Sequence, residues 1–178
     1  MNQSADFFVR SAVTETTRSY MGGLLSFLVT SAETENRLML LEVRTVPGAE
    51  PLPHLHYDQD EVFYILEGEL EVYCMGQVRI ARAGETVFLP RKHAHAFYFL
   101  SPLRFLALVQ PGGLDRYFET MSSPANSMEI PATATTYAES APASAIALGA
   151  KYGVKILTPE ETAELLPQYP GFGVPRRG

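Results

Sequence analysis

From Leu24 to Val109 the chain is a succession of short apolar runs separated by turn residues. The runs are LLSFLVT, RLMLLEVRTV, EVFYILE, ELEVYCM, QVRIA, TVFLP, HAFYFL and LRFLALVQ. Their β-branched and aromatic content and close spacing predict antiparallel strands in a sandwich or barrel. Alternation agrees: Leu70, Val72 and Cys74 share one face of a strand, and Glu69, Glu71 and Tyr73 share the other. EGE at 67–69 and MGQ at 75–77 are predicted hairpin turns around a glycine.

Past PGG at 111–113 the period changes. Leu114, Tyr117, Phe118 and Met121 fall at helical spacing, one stripe of a short amphipathic helix expected to cover part of the barrel. Residues 122–145 are rich in Ala, Ser, Thr and Pro and read as an extended connection. SAIALGAKYG gives a weaker helix signal, whereas TPEETAELL carries a full start signal. There Thr158 is the N-cap, Pro159 opens the helix and Glu161 closes a capping box. The 178 residues contain no internal repeat and no second core, so one domain is expected over 1–178. Its barrel spans about 22–111 and a helical C-terminal extension about 112–178.

Composition narrows the class of function. Hydrophobic residues at 46% mark a globular chain, and a net charge of −6 offers no basic surface to a phosphate backbone, which argues against nucleic acid. The terminal PRRG reads as a solvated tail. A single cysteine, Cys74, cannot close an internal disulfide and reads as a small apolar filler. MGGLLSFLV is too short to span a bilayer and has neither a basic leader nor a small-residue cleavage pattern. The expectation is a cytoplasmic protein with no membrane partner.

The histidines carry the chemistry. His54 and His56 sit two apart, so on an extended strand both point to one face with Cβ atoms roughly 7 Å apart, a chelating pair. Glu61 follows five residues later, an odd offset that a straight strand would send to the opposite face. The polar YDQD between them predicts a bend that returns Glu61 to the pair, with Asp58 and Asp60 serving the turn. A fourth ligand has to come from another strand, and PRKHAHAFYF offers His93 and His95.

At these residues the chain resembles the cupin superfamily. The first cupin motif appears unbroken as Gly48, His54, His56, Glu61 and Gly68, and the second as Gly84, Pro90 and His95. That register selects His95 over His93, which is left on the loop with the solvated Arg91 and Lys92. Lys92 replaces a usual glycine and Phe99 a usual asparagine, which bears on the local turn geometry. The resemblance implies an antiparallel cupin β-barrel of jelly-roll type, all-β, with short C-terminal helices packed outside. It implies metal ligands His54, His56, Glu61 and His95 for one divalent transition metal (Ni, Mn, Fe, Co, Cu or Zn).

Within cupins, EVFYI, FLPRKHAHAF and PGG…RYFETMSSPA are similar to segments of single-domain bacterial quercetin 2,3-dioxygenases. That likeness implies a dioxygenase cleaving an enolisable flavonol or related phenolic with dioxygen, Glu61 being both ligand and catalytic general base. The alternatives are a non-oxidative isomerase or polyketide cyclase using the cation as Lewis acid, and a non-catalytic small-ligand-binding cupin. Phe63 and Ile65 share the face of Glu61, and Phe97 and Phe99 that of His95, so all four point inward, either as core packing or as the walls of a substrate pocket. A homodimer is expected, on the ground that the long apolar strand RLMLLEV would expose an edge if unpaired.

Overall fold

The computed structural model describes residues 6–130 and 143–171. In chain order its elements are β1 (Thr17–Tyr20), β2 (Gly23–Val29), β3 (Met39–Thr45), β4 (His54–His56), β5 (Asp60–Glu67), β6 (Glu69–Cys74), β7 (Gln77–Arg82) and β8 (Thr86–Leu89). There follow β9 (His95–Phe99), β10 (Leu103–Gln110), α1 (Asp115–Met121), β11 (Ser123–Pro124), α2 (Ala143–Lys151), β12 (Val154–Ile156) and α3 (Pro159–Leu165). One sheet runs β11-β1-β2-β3-β10-β5-β8 and the other β12-β4-β9-β6-β7, with every pairing antiparallel. Their inner faces meet in one core that includes Leu25, Leu41, Phe63, Ile65 and Phe105 from the first sheet and Leu70, Val72, Phe97 and Phe99 from the second. This is the expected jelly-roll barrel.

Local sequence explains the connections. Met75 and Gly76 both take positive φ (52° and 68°) between paired Cys74 and Gln77, the two-residue turn whose twist matches its strands. Gly68 differs from expectation. It is not a hairpin turn, because β5 and β6 lie in different sheets, and it carries the chain across from one to the other. Its φ is +85°, and a Cβ there would overlap the Pro102 carbonyl oxygen, so only glycine fits the crossing.

The sheets reach beyond the expected barrel bounds of 22–111. β1 pairs with β2 and with β11, a strand inside the stretch read as a connection, and β12 pairs with β4. These strands have two to four residues, too short for an alternation signal. The C-terminal segment also covers the outside of the second sheet. Leu157 and Leu166 pack on Tyr73, Ala94 and Ala96, so Glu71 and Tyr73 are each only 2% exposed. The Tyr73 hydroxyl donates to Glu71 Oε2 at 2.8 Å. Helix α1 docks Tyr117, Phe118 and Met121 on the core, and α3 starts with the expected box, Thr158 Oγ1 accepting from Glu161 N–H and Glu161 from Thr158 N–H.

Two further expectations change. RLMLLEV supplies β3, which is paired on both sides by β2 and β10, so it leaves no edge. The apolar surface lies instead on the outer face of the seven-stranded sheet, where Leu40, Leu108, Val62 and Phe88 are cross-strand neighbours and Phe88 is 60% exposed. No helix among the described residues is long and apolar enough to cross a membrane. The PRRG tail lies outside the described residues.

Candidate metal centre

The bend read from YDQD is a change of sheet. β4 carries His54 and His56 in one sheet, and the chain turns through residues 57–59 to enter β5, with Glu61, in the other. Two walls of the barrel therefore face each other across the cluster. β9 lies beside β4 with His54 opposite His95, which delivers the fourth side chain. One ligand atom from each of His54, His56, Glu61 and His95 lies within 4.8 Å of all the others. His93, the competing candidate, is exposed on the loop before β9 and only lends its carbonyl to His95.

The backbone fixes two of the rings. His54 Nδ1–H donates to the Leu52 carbonyl at 2.7 Å and His95 Nδ1–H to the His93 carbonyl at 3.2 Å. With those tautomers both Nε2 atoms are lone pairs, yet they face each other at 3.1 Å. Such a contact is repulsive unless a cation stands between them. His56 Nε2 and Glu61 Oε2, 3.6 Å apart, are buried without any hydrogen-bond partner, and His95 Nε2 is also 3.6 Å from Glu61 Oε2. Unpaired buried donors and acceptors are costly, and three imidazole nitrogens with one carboxylate oxygen form a donor set suited to a divalent transition ion. The residues fit a metal.

Electrostatics point the same way. Burial lowers His54 and His56 from 6.5 to about 4 and His95 well below 6.5, so all three imidazoles are neutral, as ligands must be. Burial raises Glu61 from 4.5 to about 7, with His54 opposing. The close His–Glu contacts in the metal-free protein are therefore not ion pairs at neutral pH.

Beside the cluster lies a cleft with a cavity of about 150 Å³, bordered by His54, His56 and Glu61. Phe63, Phe97 and Phe99 line it as expected. Ile65 does not: it is 0% exposed and belongs to the packed core. It shares the face of Phe63 but lies two residues further along β5. Sequence reasoning missed Tyr20, Met39 and Leu41, on β1 and β3 of the sheet that carries Phe63, and Tyr117 and Phe118 on α1. The helical stripe signalled the last two only as a cover. Among the described residues no lysine or arginine borders the cavity, and Glu61 is its one carboxylate. Lys92, where a glycine is usual, accepts the left-handed conformation that position demands (φ 68°), and its N–H donates to the His56 carbonyl at 2.6 Å.

Residues 41–109 match the sequence profile of the Cupin domain family. The structure is similar to that of an RmlC-like cupin from Shewanella frigidimarina, at 23% identity and a TM-score of 0.53 over 65% of this chain and 99% of that one. It is also similar to the polyketide cyclase RemF from Streptomyces resistomycificus, at 22% identity and a TM-score of 0.50 over 58% and 80%. Over 52 residues the chain is 40% identical to acetate kinase EutQ of Escherichia coli, a stretch that is 29% of this chain and spans only 22% of that protein. The profile match is confined to residues 41–109, and the solved structures speak for the barrel fold alone.

Proposed function

We propose that the protein is a metal-dependent cupin dioxygenase acting on a small, apolar, enolisable aromatic substrate. The observation that carries this reading is the convergence of three neutral imidazoles and one carboxylate at the edge of an apolar cavity. His54, His56, Glu61 and His95 would hold a divalent transition ion, which when bound supplies Lewis acidity and a meeting point for an enolate and dioxygen. Glu61 takes the substrate hydroxyl proton, because among the described residues it is the one carboxylate bordering the cavity. Phe63, Phe97 and Phe99 exclude water and stack the ring. Among the described residues no basic side chain stands at the walls to pair with a phosphorylated or carboxylated substrate.

Size narrows the substrate class. An apolar cavity of about 150 Å³ is the kind that holds benzene, so one ring enters and the remaining rings of a flavonol must extend through the cleft mouth. Oxygen-electrode screening of flavonols and single-ring phenols with metal-restored protein tests the reading, and oxygen uptake that matches substrate loss is expected. Turnover without oxygen uptake would replace it with the isomerase or cyclase reading, and binding without turnover with the ligand-carrier reading. The homodimer belongs to the same proposal, seated on the outer face around Phe88 rather than on an edge; a single-chain mass by light scattering removes it.

Metal uptake should release protons with a predictable pH dependence. At pH 6 His54 and His56, lowered to about 4, and His95, lowered well below 6.5, carry no extra proton, whereas Glu61, near 7, is mostly protonated. Loading at pH 6 is expected to release about one proton per ion, falling towards zero above about pH 8 as Glu61 ionises beforehand. Calorimetry in two buffers of different ionisation enthalpy reads this number. Equal heats in both buffers at pH 6 would remove Glu61 from the ligand set.

A further inference from the structure

Each ligand histidine needs its outer nitrogen held, and two of the three are held by main-chain carbonyls. His56 is not: its Nδ1 is buried with no partner at hydrogen-bond geometry, while its Nε2 is turned towards Glu61. Besides Glu61 Oε2, the buried acceptor left unsatisfied among the described residues is the side-chain oxygen of Gln59, three residues along the chain from His56. We propose that Gln59 is the positioning residue of His56, its Oε1 accepting from Nδ1–H, and that the C-terminal turn Tyr152–Gly153 holds Gln59 in place for that task. The inference rests on His56 being a metal ligand.

Gln59 is 7% exposed, and its Nε2 donates to the Tyr152 carbonyl at 3.3 Å. Fixing the amide nitrogen on Tyr152 fixes which way the oxygen points. Gly153 leaves the room required: its φ is +78°, and a Cβ on it would stand 3.3 Å from Gln59 Oε1 and 3.6 Å from Asp58 Oδ2. The same turn is tied to the metal-bearing strand. Tyr57 N–H donates to the Gly153 carbonyl at 2.8 Å, Leu157 N–H donates to the Pro53 carbonyl at 2.9 Å, and β12 pairs Val154 with His56 and Ile156 with His54. Residues 152–157 lie well past the stretch 41–109 that matches the Cupin domain, so the surroundings of His56 are completed from outside that stretch.

The tautomer can be read without metal. Long-range ¹H–¹⁵N spectra of metal-free protein are expected to show His56 protonated on Nδ1 in the parent, and shifted towards Nε2–H in Gln59→Leu. Zinc affinity, measured by competition with a chromogenic chelator, should fall about 10–100-fold in Gln59→Leu, the usual cost of losing such a partner. Gln59→Glu keeps an acceptor oxygen but loses the donor to Tyr152, so its zinc affinity should fall less than that of Gln59→Leu, a partial rescue that a purely packing role would not give. Gly153→Ala, which crowds the carboxamide, should weaken zinc in the same direction and serves if the leucine variant does not fold. An Nδ1–H tautomer that persists in Gln59→Leu, or zinc affinity within about twofold of the parent, overturns the proposal. A parent that shows the Nδ1–H tautomer but takes up no zinc overturns the metal reading instead.

Discussion

Metal-loaded Glu61→Gln is expected to turn over its substrate about 10²–10⁴-fold more slowly than the parent, the range for losing a general base. Glutamine keeps the side-chain length and an oxygen that can still face the three histidines, but it cannot accept a proton at neutral pH. No other side chain bordering the cavity can substitute: the lining is aromatic and aliphatic apart from the histidines, Thr45 and the two tyrosines. Because the three imidazoles alone hold an ion less tightly, metal has to be restored in excess before rates are compared. Activity within about tenfold of the parent would falsify the base assignment and reduce Glu61 to a ligand.

Gly68→Ala should be among the most destabilising single substitutions in the barrel. Alanine in the left-handed region costs about 1–2 kcal/mol, and forcing a Cβ against fixed backbone adds about 1–3 kcal/mol. Here that Cβ would overlap the Pro102 carbonyl oxygen and stand 2.9 Å from Ser101 Oγ. Gly48→Ala is the matched control. Its φ is +90° but nothing lies within 4 Å of the added carbon, so only the conformational cost of about 1–2 kcal/mol applies. Denaturant melts of the two variants should therefore differ by more than about 1 kcal/mol, with Gly68→Ala the weaker. Equal losses would mean that the sheet crossing can move away from the new methyl group.

The contrast between these glycines bears on what a sequence discloses. His54 and His56 were legible as a pair from strand spacing, Glu61 required a bend, and His95 was selected over His93 by the resemblance to the cupin motif; the structure brings all four together. Gly68 was legible as a turn but not as a crossing, since spacing gives no clue to which sheet a strand joins. Ile65 and Phe63 are equivalent by alternation, yet only Phe63 borders the cavity. Alternation gives the face of a strand and not the depth along it. Tyr20 and Gln59 carried no signal at all. The first sits on a four-residue strand, and the second owes its importance to Tyr152, a neighbour 93 positions away in the chain.

Metal content tests the central claim, that His54, His56, Glu61 and His95 together hold a divalent transition ion, more directly than any assay of turnover. Emission spectrometry of metal-restored, desalted protein should find about one ion per chain in the parent, as a single four-ligand site allows. His95→Ala should lose most of it and His93→Ala should keep it. A parent without metal, or a loss greater in His93→Ala than in His95→Ala, would contradict the site as it is drawn.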